Sequence, residues 1–562
     1  MSAISLARSG GQSIRLYDDA RSTHMHVMGA SGQGKSFFLE HLIREDVIRG
    51  RGVCVIDPHG ELYSNVLNWL VSEGWSRVKT IHLLNPSDPT YTFGFNPLVV
   101  DNGTPIGYRV DAMVDACLKV WGGTDLTQTP RLAKCLRAVF HVLAEHKLSL
   151  AEARFLIFRQ HRDEALQLTS TLTNPEYRAV WEDLLDAGGR EFREYLDSTV
   201  SRLLAFVGDE TIKDIVGQTE NVIDFRRCMD KGHIVLVNLS RGGVISGEAS
   251  RLLGALITND LYTTAFARDL DRAKRRPFYC YIDECADYLT EDVVKSLDQT
   301  RKFGLHMVLS HQRLDQLRDY GDNFYNAVMA GAQLKVVFNP NDDDAAEVLS
   351  RHFFRTSFDL ELPKRSMDKP FVVAYHVRWF ESEAATTTEI HGSGTAAASG
   401  AGTMTGMSQL YDANGNAIGG QIVQDTSSSM QLDSSNRFSA GGESQSYGRS
   451  EGLEPELAVL PTELHKLDEL IHLGMVELLR LQPRQAWVCS PTVAPMKITT
   501  YDVKPGTLLP EFVPARIARL NEASPVVSPR TEVRAGMKRR AEGVVASTNA
   551  VAFDPEDDGL GV

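Results

Sequence analysis

No uninterrupted apolar run in this 562-residue chain approaches the ~18 residues a membrane-spanning helix needs, so no transmembrane segment is expected. The opening Met1-Ser2-Ala3-Ile4-Ser5-Leu6-Ala7-Arg8 is too weakly apolar for a secretory signal. Only 28 residues precede Gly29, and no membrane module is expected there. Cysteines are few and their spacing pairs none of them. The seven, at 54, 117, 135, 228, 280, 285 and 489, are odd in number, and Cys280-x4-Cys285 lacks the second ligand pair of a zinc site. Reduced, mostly buried thiols of a cytoplasmic protein are the expectation. A basic excess is missing too: 59 Lys and Arg stand against 73 Asp and Glu, for a net charge of −14. That balance argues against a broad basic face that coats nucleic acid, yet leaves room for a ring gripping a strand with a few basic loops. What is plentiful is core: 43% hydrophobic residues in a chain this long imply two or three domains.

Residues 29 to 36 read Gly29-Ala30-Ser31-Gly32-Gln33-Gly34-Lys35-Ser36, a complete G-x-x-x-x-G-K-[ST] loop. The apolar His24-Met25-His26-Val27-Met28 enters it as a strand, and Phe37 to Ile43 leaves it with helical spacing. Glycines let backbone N–H groups wrap a phosphate, and the helix N-terminus adds positive field. Lys35 then reaches the β and γ phosphates, and Ser36 ligates Mg²⁺. The pattern predicts a nucleoside triphosphate site.

A second half of that site is expected about 250 residues on. Phe278-Tyr279-Cys280-Tyr281-Ile282 is a buried-strand pattern ending in Asp283-Glu284. Beside a phosphate loop, the first acid holds the Mg²⁺ shell and the second polarises the attacking water. Acids at a strand end that opens a helix have an electrostatic reason of their own. Met307-Val308-Leu309-Ser310-His311-Gln312 is another strand, which puts Gln312 beside Asp283 at the carboxyl edge of a parallel sheet. Gln312 is the candidate γ-phosphate sensor, or a polar strand-end residue. Arg301, at the end of the intervening helix, fits an arginine finger acting on a neighbouring subunit; a solvated helix-end arginine fits equally. Asp57, closing the strand Val53-Cys54-Val55-Ile56, belongs either to the rim of the nucleotide site or to an Asp-Pro-His-Gly turn.

The β–α alternation predicts an α/β fold with a doubly wound, mainly parallel sheet. Its first part is expected over 1–104 and its second over 228–380. Between them, 105–227 carries helical apolar spacing at Leu132, Leu136, Val139, Phe140 and Leu143, and predicts an inserted all-α domain with its own core. Residues 381–452 contain two arginines and no lysine, are rich in Gly, Ser and Thr, and are expected to be a disordered excursion. A helix over 457–473 and strands at 486–489 and 496–500 are expected to close the core within 453–510. The tail 511–562 reads as largely disordered, its basic cluster Arg530, Arg534, Lys538, Arg539 and Arg540 free for nucleic acid or solvent.

Arg21-Ser22-Thr23-His24 leading into the loop, and Val55-Ile56-Asp57-Pro58-His59-Gly60-Glu61, resemble the HerA–FtsK group of ring-forming DNA pumps. Asn96-Pro97-Leu98, Ile282-Asp283-Glu284, Arg301-Lys302-Phe303-Gly304 and Ser310-His311-Gln312 are similar, more narrowly, to the TraD/TraG-like type IV coupling proteins. This resemblance covers roughly residues 20 to 345. It implies a RecA-like P-loop ATPase using ATP and Mg²⁺, a homohexamer that pumps DNA, and a membrane-anchored or relaxosome-type protein partner. Most such proteins begin with transmembrane helices, which are not seen here; a cytoplasmic chain, peripheral at the inner membrane through a partner, is the corresponding expectation. The alternatives are a motor for protein export or secretion-machine assembly, and an ATP-gated adaptor of a DNA-processing complex.

Overall fold

The computed structural model describes residues 3–99, 105–121, 130–186, 189–220, 223–241, 244–271, 274–354, 363–366, 371–389, 410–411, 417–418, 441–458, 461–464 and 466–552. The first ten strands are β1 (Ala3–Ser9), β2 (Gln12–Tyr17), β3 (Met25–Met28), β4 (Gly52–Asp57), β5 (Ile81–Leu84), β6 (Tyr91–Phe93), β7 (Ile234–Asn238), β8 (Phe278–Ile282), β9 (Leu305–His311) and β10 (Leu334–Val337). Nine of these, all but β6, join Gln485–Ser490 and Val493–Thr499 in one sheet, in the order β2, β1, Val493–Thr499, Gln485–Ser490, β10, β3, β9, β8, β4, β7, β5. The run from β10 to β5 is parallel throughout. From β10 outward through Gln485–Ser490 to β2 the pairing is antiparallel.

The parallel strands are buried on both faces, as their continuous apolar runs require. Side-chain alternation sorts them. Val53 and Val55 share one core with Tyr279, Tyr281 and Val308, under Phe38, Leu42 and Val66 of the helices Lys35–Ile48 and Glu61–Ser72. Cys54, Ile56, Val235, Val237, Cys280 and Ile282 point the other way, toward helix Gly247–Phe266. The sheet is therefore doubly wound, a P-loop, RecA-like architecture.

The described residues of 105–227 are mainly helical, from Ile106–Trp121 through Pro130–Glu145 to Phe225–Lys231. Their core is not separate. Leu132, Leu136, Val139, Phe140 and Leu143 are buried in the same cluster as Ile56, Val237 and Leu253, so the insertion is continuous with one face of the sheet. Periodicity shows that a helix has an apolar face but not what covers it. At about 1.5–3 kcal/mol for each large side chain removed from water, this seam is a main source of stability.

Three expectations for the C-terminal third change. Residues 358–471 form a compact unit of their own. Within it Phe371–Glu389 pairs antiparallel with Gly441–Ala458, so 381–389 and 441–452 are strand where composition suggested disorder; most of the interval between lies outside the described residues. Ladder pairing of backbone does not need apolar side chains, which is why composition misses it. The helix expected over 457–473 is instead Leu467–Leu479. The tail also has order: Val513–Glu522 and Arg530–Ala552 are helices, and Val527–Pro529 pairs with β6. Arg530 Nη1 and Arg534 Nε donate to the buried Asp214 carboxylate at 2.7 and 2.9 Å, while Val533 and Met537 pack on Ala151. Arg540 also donates to Gly217 O, so three of the tail's basic residues are engaged with the helical region rather than free for nucleic acid.

Candidate nucleotide site

Strand β3 ends at Met28, and the chain turns through Gly29–Gly34 into helix Lys35–Ile48. Gly32 and Gly34 take φ of +77° and +101°, left-handed values that only glycine adopts freely. Gly34 gives the helix no side-chain cap, so the first-turn N–H groups and the helix field face the loop. Two other segments brace it. Ala30 N–H donates to Asn339 O at 3.0 Å, and Arg484 N–H donates to Gln33 O at 2.8 Å. A Cβ at Gly29 would lie 2.5 Å from Phe338 Cβ, so the loop is seated tightly against the chain following β10. Lys35 Nζ donates to Gly29 O and, at 3.2 Å, to Ala30 O. Burial draws its pKa down, and Asp283 and Glu284 oppose that shift.

Those acids arrive from β8, two strands from β3 with β9 between. Asp283 N–H donates to Ile56 O at 3.1 Å, anchoring the strand end to β4. Asp283 is 8% exposed; burial and the adjacent Glu284 carboxylate raise its pKa, while Lys35 pulls it back. Glu284 adopts φ +48°, uncommon for a residue with a side chain and costing about 1–2 kcal/mol. Its Oε1 accepts from Gln312 Nε2 at 2.5 Å and its Oε2 from Gln316 Nε2 at 2.9 Å. His59 Nε2 lies 3.9 Å from Oε1. Although burial alone would raise the Glu284 pKa, the nearby His59 imidazole and hydrogen bonds from Gln316 and Gln312 hold it low, and the carboxylate in turn raises that of His59.

Loop 29–36, Asp283, Glu284 and Gln312 therefore meet at the carboxyl edge of adjacent parallel strands. Ser36 follows Lys35 at the start of the helix. Asp57 ends β4 at the same edge, but its oxygens accept from the N–H groups of His59 and Tyr63, both at 2.8 Å, a turn and helix-start role. Arg301 is not at this site within the chain. It is exposed and precedes β9, at the opposite edge of the sheet. His59, Gln316, Asn339 and Arg484 are the site residues that sequence reasoning missed. Gln316 lies four positions after Gln312 and was open to detection; Arg484, at φ +72°, carries no local signal.

The residues fit a triphosphate with Mg²⁺. A buried ammonium with only carbonyl partners calls for phosphate charge, and a buried acid whose pKa is raised calls for a cation. A different cluster brings ligand atoms of His82, Cys228 and His233 within 4.8 Å of one another, near the amino ends of β5 and β7. His82 Nδ1 is buried there without a hydrogen-bond partner, whereas a metal-bound imidazole ordinarily donates its second N–H. Arg227 adds repelling positive charge to both imidazoles, and this cluster is not assigned a metal.

Fold and site define a P-loop protein with a candidate nucleotide site. A family model described as the central domain of the helicase HerA matches residues 8–155, and one described as the TraM recognition site of TraD and TraG matches 277–357. The first match spans the loop and Asp57; the second spans Asp283, Glu284, Arg301 and Gln312. In these two segments the chain is similar to TraD/TraG-like and HerA-type proteins, and the matches support a type IV secretion-related ATPase. Among solved structures, the plasmid coupling protein TrwB in complex with ADP and Mg²⁺ is similar at 17% identity and a TM-score of 0.50, covering 91% of this chain and 92% of that one. At such identity the likeness is one of fold. An unbound form of the bacterial conjugative coupling protein TrwB gives 18% identity, 91% of each chain and a TM-score of 0.49. VirB4 of Thermoanaerobacter pseudethanolicus gives 14%, 62% of this chain and 87% of that one, and 0.38. No curated protein matches the chain. Among the described residues no helix is long and apolar enough to cross a membrane.

Proposed function

We propose that this protein hydrolyses ATP as a ring-forming motor that moves DNA, resembling conjugative coupling proteins. The observation that supports it best is the convergence of loop 29–36 with Asp283, Glu284 and Gln312 at one sheet edge, in a chain of TraD/TraG-like type. In this reading Gly29–Gly34 and Lys35 cradle the phosphates, and Ser36 and Asp283 hold Mg²⁺. The metal, when bound, offsets charge on the phosphate oxygens. Glu284 accepts the proton of the water whose oxygen attacks the γ-phosphorus as the bond to the β-phosphate oxygen breaks. Gln312 exchanges its contact with Glu284 for one with the γ-phosphate. Arg301, remote from its own chain's site, serves a neighbouring subunit in a homohexamer. DNA is the substrate, with a membrane-anchored or relaxosome-type protein as docking partner and the cytoplasm, at the inner membrane's surface, as the place of work.

The test is ATP turnover by the full chain, alone and with single- or double-stranded DNA, alongside particle mass in ATP. DNA-stimulated turnover by a six-subunit particle is expected. A monomer whose rate ignores both DNAs but rises with a secretion-machine protein would move the assignment to the protein-export motor.

A further inference from the structure

Lys119 is a half-buried lysine whose ammonium has no carboxylate at ion-pair distance among the described residues, and the chemistry above leaves it without a role. It projects from helix Ile106–Trp121, the first of the inserted helices, and its Nζ donates to Ala286 O at 2.7 Å and to Leu289 O. Those carbonyls belong to the turn that immediately follows Glu284. The ammonium also sits 3.9 Å from the ring centroid of Tyr320 and 4.6 Å from that of Phe324, on the segment that follows Gln312 and Gln316. Among the described residues no carboxylate lies within ion-pair distance of it. Burial pulls its pKa down to about 7. Asp287 opposes that shift without reaching ion-pair distance, and an ammonium held by carbonyls and rings rather than by a carboxylate is better explained by function than by stability.

Its own helix is fixed elsewhere. Arg109 Nη1 pairs with Asp260 Oδ1 at 2.5 Å, and Asn259 Nδ2 donates to Ala112 O at 3.1 Å, tying the helix to Gly247–Phe266. Helix Ile106–Trp121 is also part of the continuous core of the insertion, through Met113, Val114, Cys117 and Leu118. Lys119 therefore gives a shift of the inserted helices a direct route to the Glu284 turn.

We propose that Lys119 is a positioning residue that couples the inserted helices to Glu284: its ammonium holds the carbonyls of the turn carrying the glutamate, so that displacement of the helices changes the aim of that carboxylate. This inference rests on the assignment of Glu284 as the proton acceptor. It adds a route by which whatever engages the helical insertion sets the hydrolysis rate. The aromatic rings of Tyr320 and Phe324 extend the same hold to the glutamine-bearing segment, so the carboxylate and its two amide partners move together.

The experiment uses the full chain as Lys119→Met, which keeps length and removes charge and donors, and Lys119→Arg, which keeps both. Binding of a fluorescent ATP analogue, kcat and KM with and without DNA, and thermal melting are measured. For Lys119→Met, analogue binding within about twofold of wild type is expected, with kcat and its DNA stimulation down about ten- to a hundredfold. Melting is expected to hold or rise, and Lys119→Arg to recover most of the rate. Wild-type kcat and stimulation in Lys119→Met overturn the inference, as does joint loss of melting temperature, binding and kcat, which marks a structural lysine. A wild-type protein that does not hydrolyse ATP removes the ATPase assignment and this inference with it; an active wild type beside an indifferent Lys119→Met removes the inference alone.

Discussion

Glu284 combines two constraints: a left-handed backbone and a carboxylate whose oxygens are both held by glutamine amides. Fixed in this way it stays ionised, ready to accept a proton, but must exchange a partner before a water can approach. Replacing it with Gln keeps shape and removes basicity. Nucleotide binding should persist while kcat falls by roughly 10²–10⁴-fold, the usual worth of a general base, checked by analogue binding beside phosphate release. Lys35→Ala should lose hydrolysis and weaken binding in the same assays, since no other ammonium is placed on the loop. A different residue-scale prediction concerns the frame. Arg21 donates to both oxygens of Asp46 at 2.6 and 2.8 Å, Arg51 Nη1 adds a bond at 2.8 Å and Tyr281 OH another at 2.5 Å, all beneath the loop's helix. Burial alone would raise the Asp46 pKa; these partners hold it low instead. Asp46→Asn leaves Arg21 buried without its counter-charge, and should cost about 3–5 kcal/mol in denaturant unfolding.

At the level of elements, the C-terminal helix Arg530–Ala552 is docked by two arginines on one acid. Ending the chain at 529 should free Asp214 and bare the surface around Ala151, seen as faster proteolysis of helix Glu210–Val216 with the nucleotide site still able to bind. Strands were the most legible elements, because β4, β7, β8 and β9 are fully buried apolar runs ending in polar residues, and a buried parallel strand admits few other readings. The phosphate loop and the Asp283-Glu284 pair were legible for the same reason: each is a local motif on a predicted edge. The bracing of Gln33 by Arg484 was not, since it depends on a left-handed residue far along the chain. The order of the tail was missed because charge was counted without partners. Arg530 and Arg534 look like solvent-facing residues until Asp214 is brought beside them. Gln316 escaped because its value lies in what Gln312 and Glu284 do in space.

The eleven-stranded sheet and the helices on it enclose several neutral histidines. His311 and His82 are depressed to about 4 and His306 to about 3, by burial foremost. The unfolded chain binds protons at these positions once pH drops below about 6.5, before the folded one does. Stability therefore falls as pH is lowered from about 6.5 to 4, by roughly 1.4 kcal/mol per pH unit for each such group at full effect, measurable as the slope of unfolding free energy against pH. A flat profile across that window would show that these imidazoles are reached by solvent. Arg301 belongs to this scale because, exposed at the far edge of the sheet, it reaches a nucleotide site in the proposed assembly only across two chains. Arg301→Ala and Glu284→Gln chains should each be nearly inactive alone while binding nucleotide normally. The most direct measurement of the central claim mixes them in equal parts and follows ATP turnover in the presence of DNA. Random assembly creates interfaces in which an intact Glu284 faces an intact Arg301, and about a quarter of wild-type turnover should return. A mixture as inactive as its components, or an Arg301→Ala chain that turns over unaided, would contradict the account.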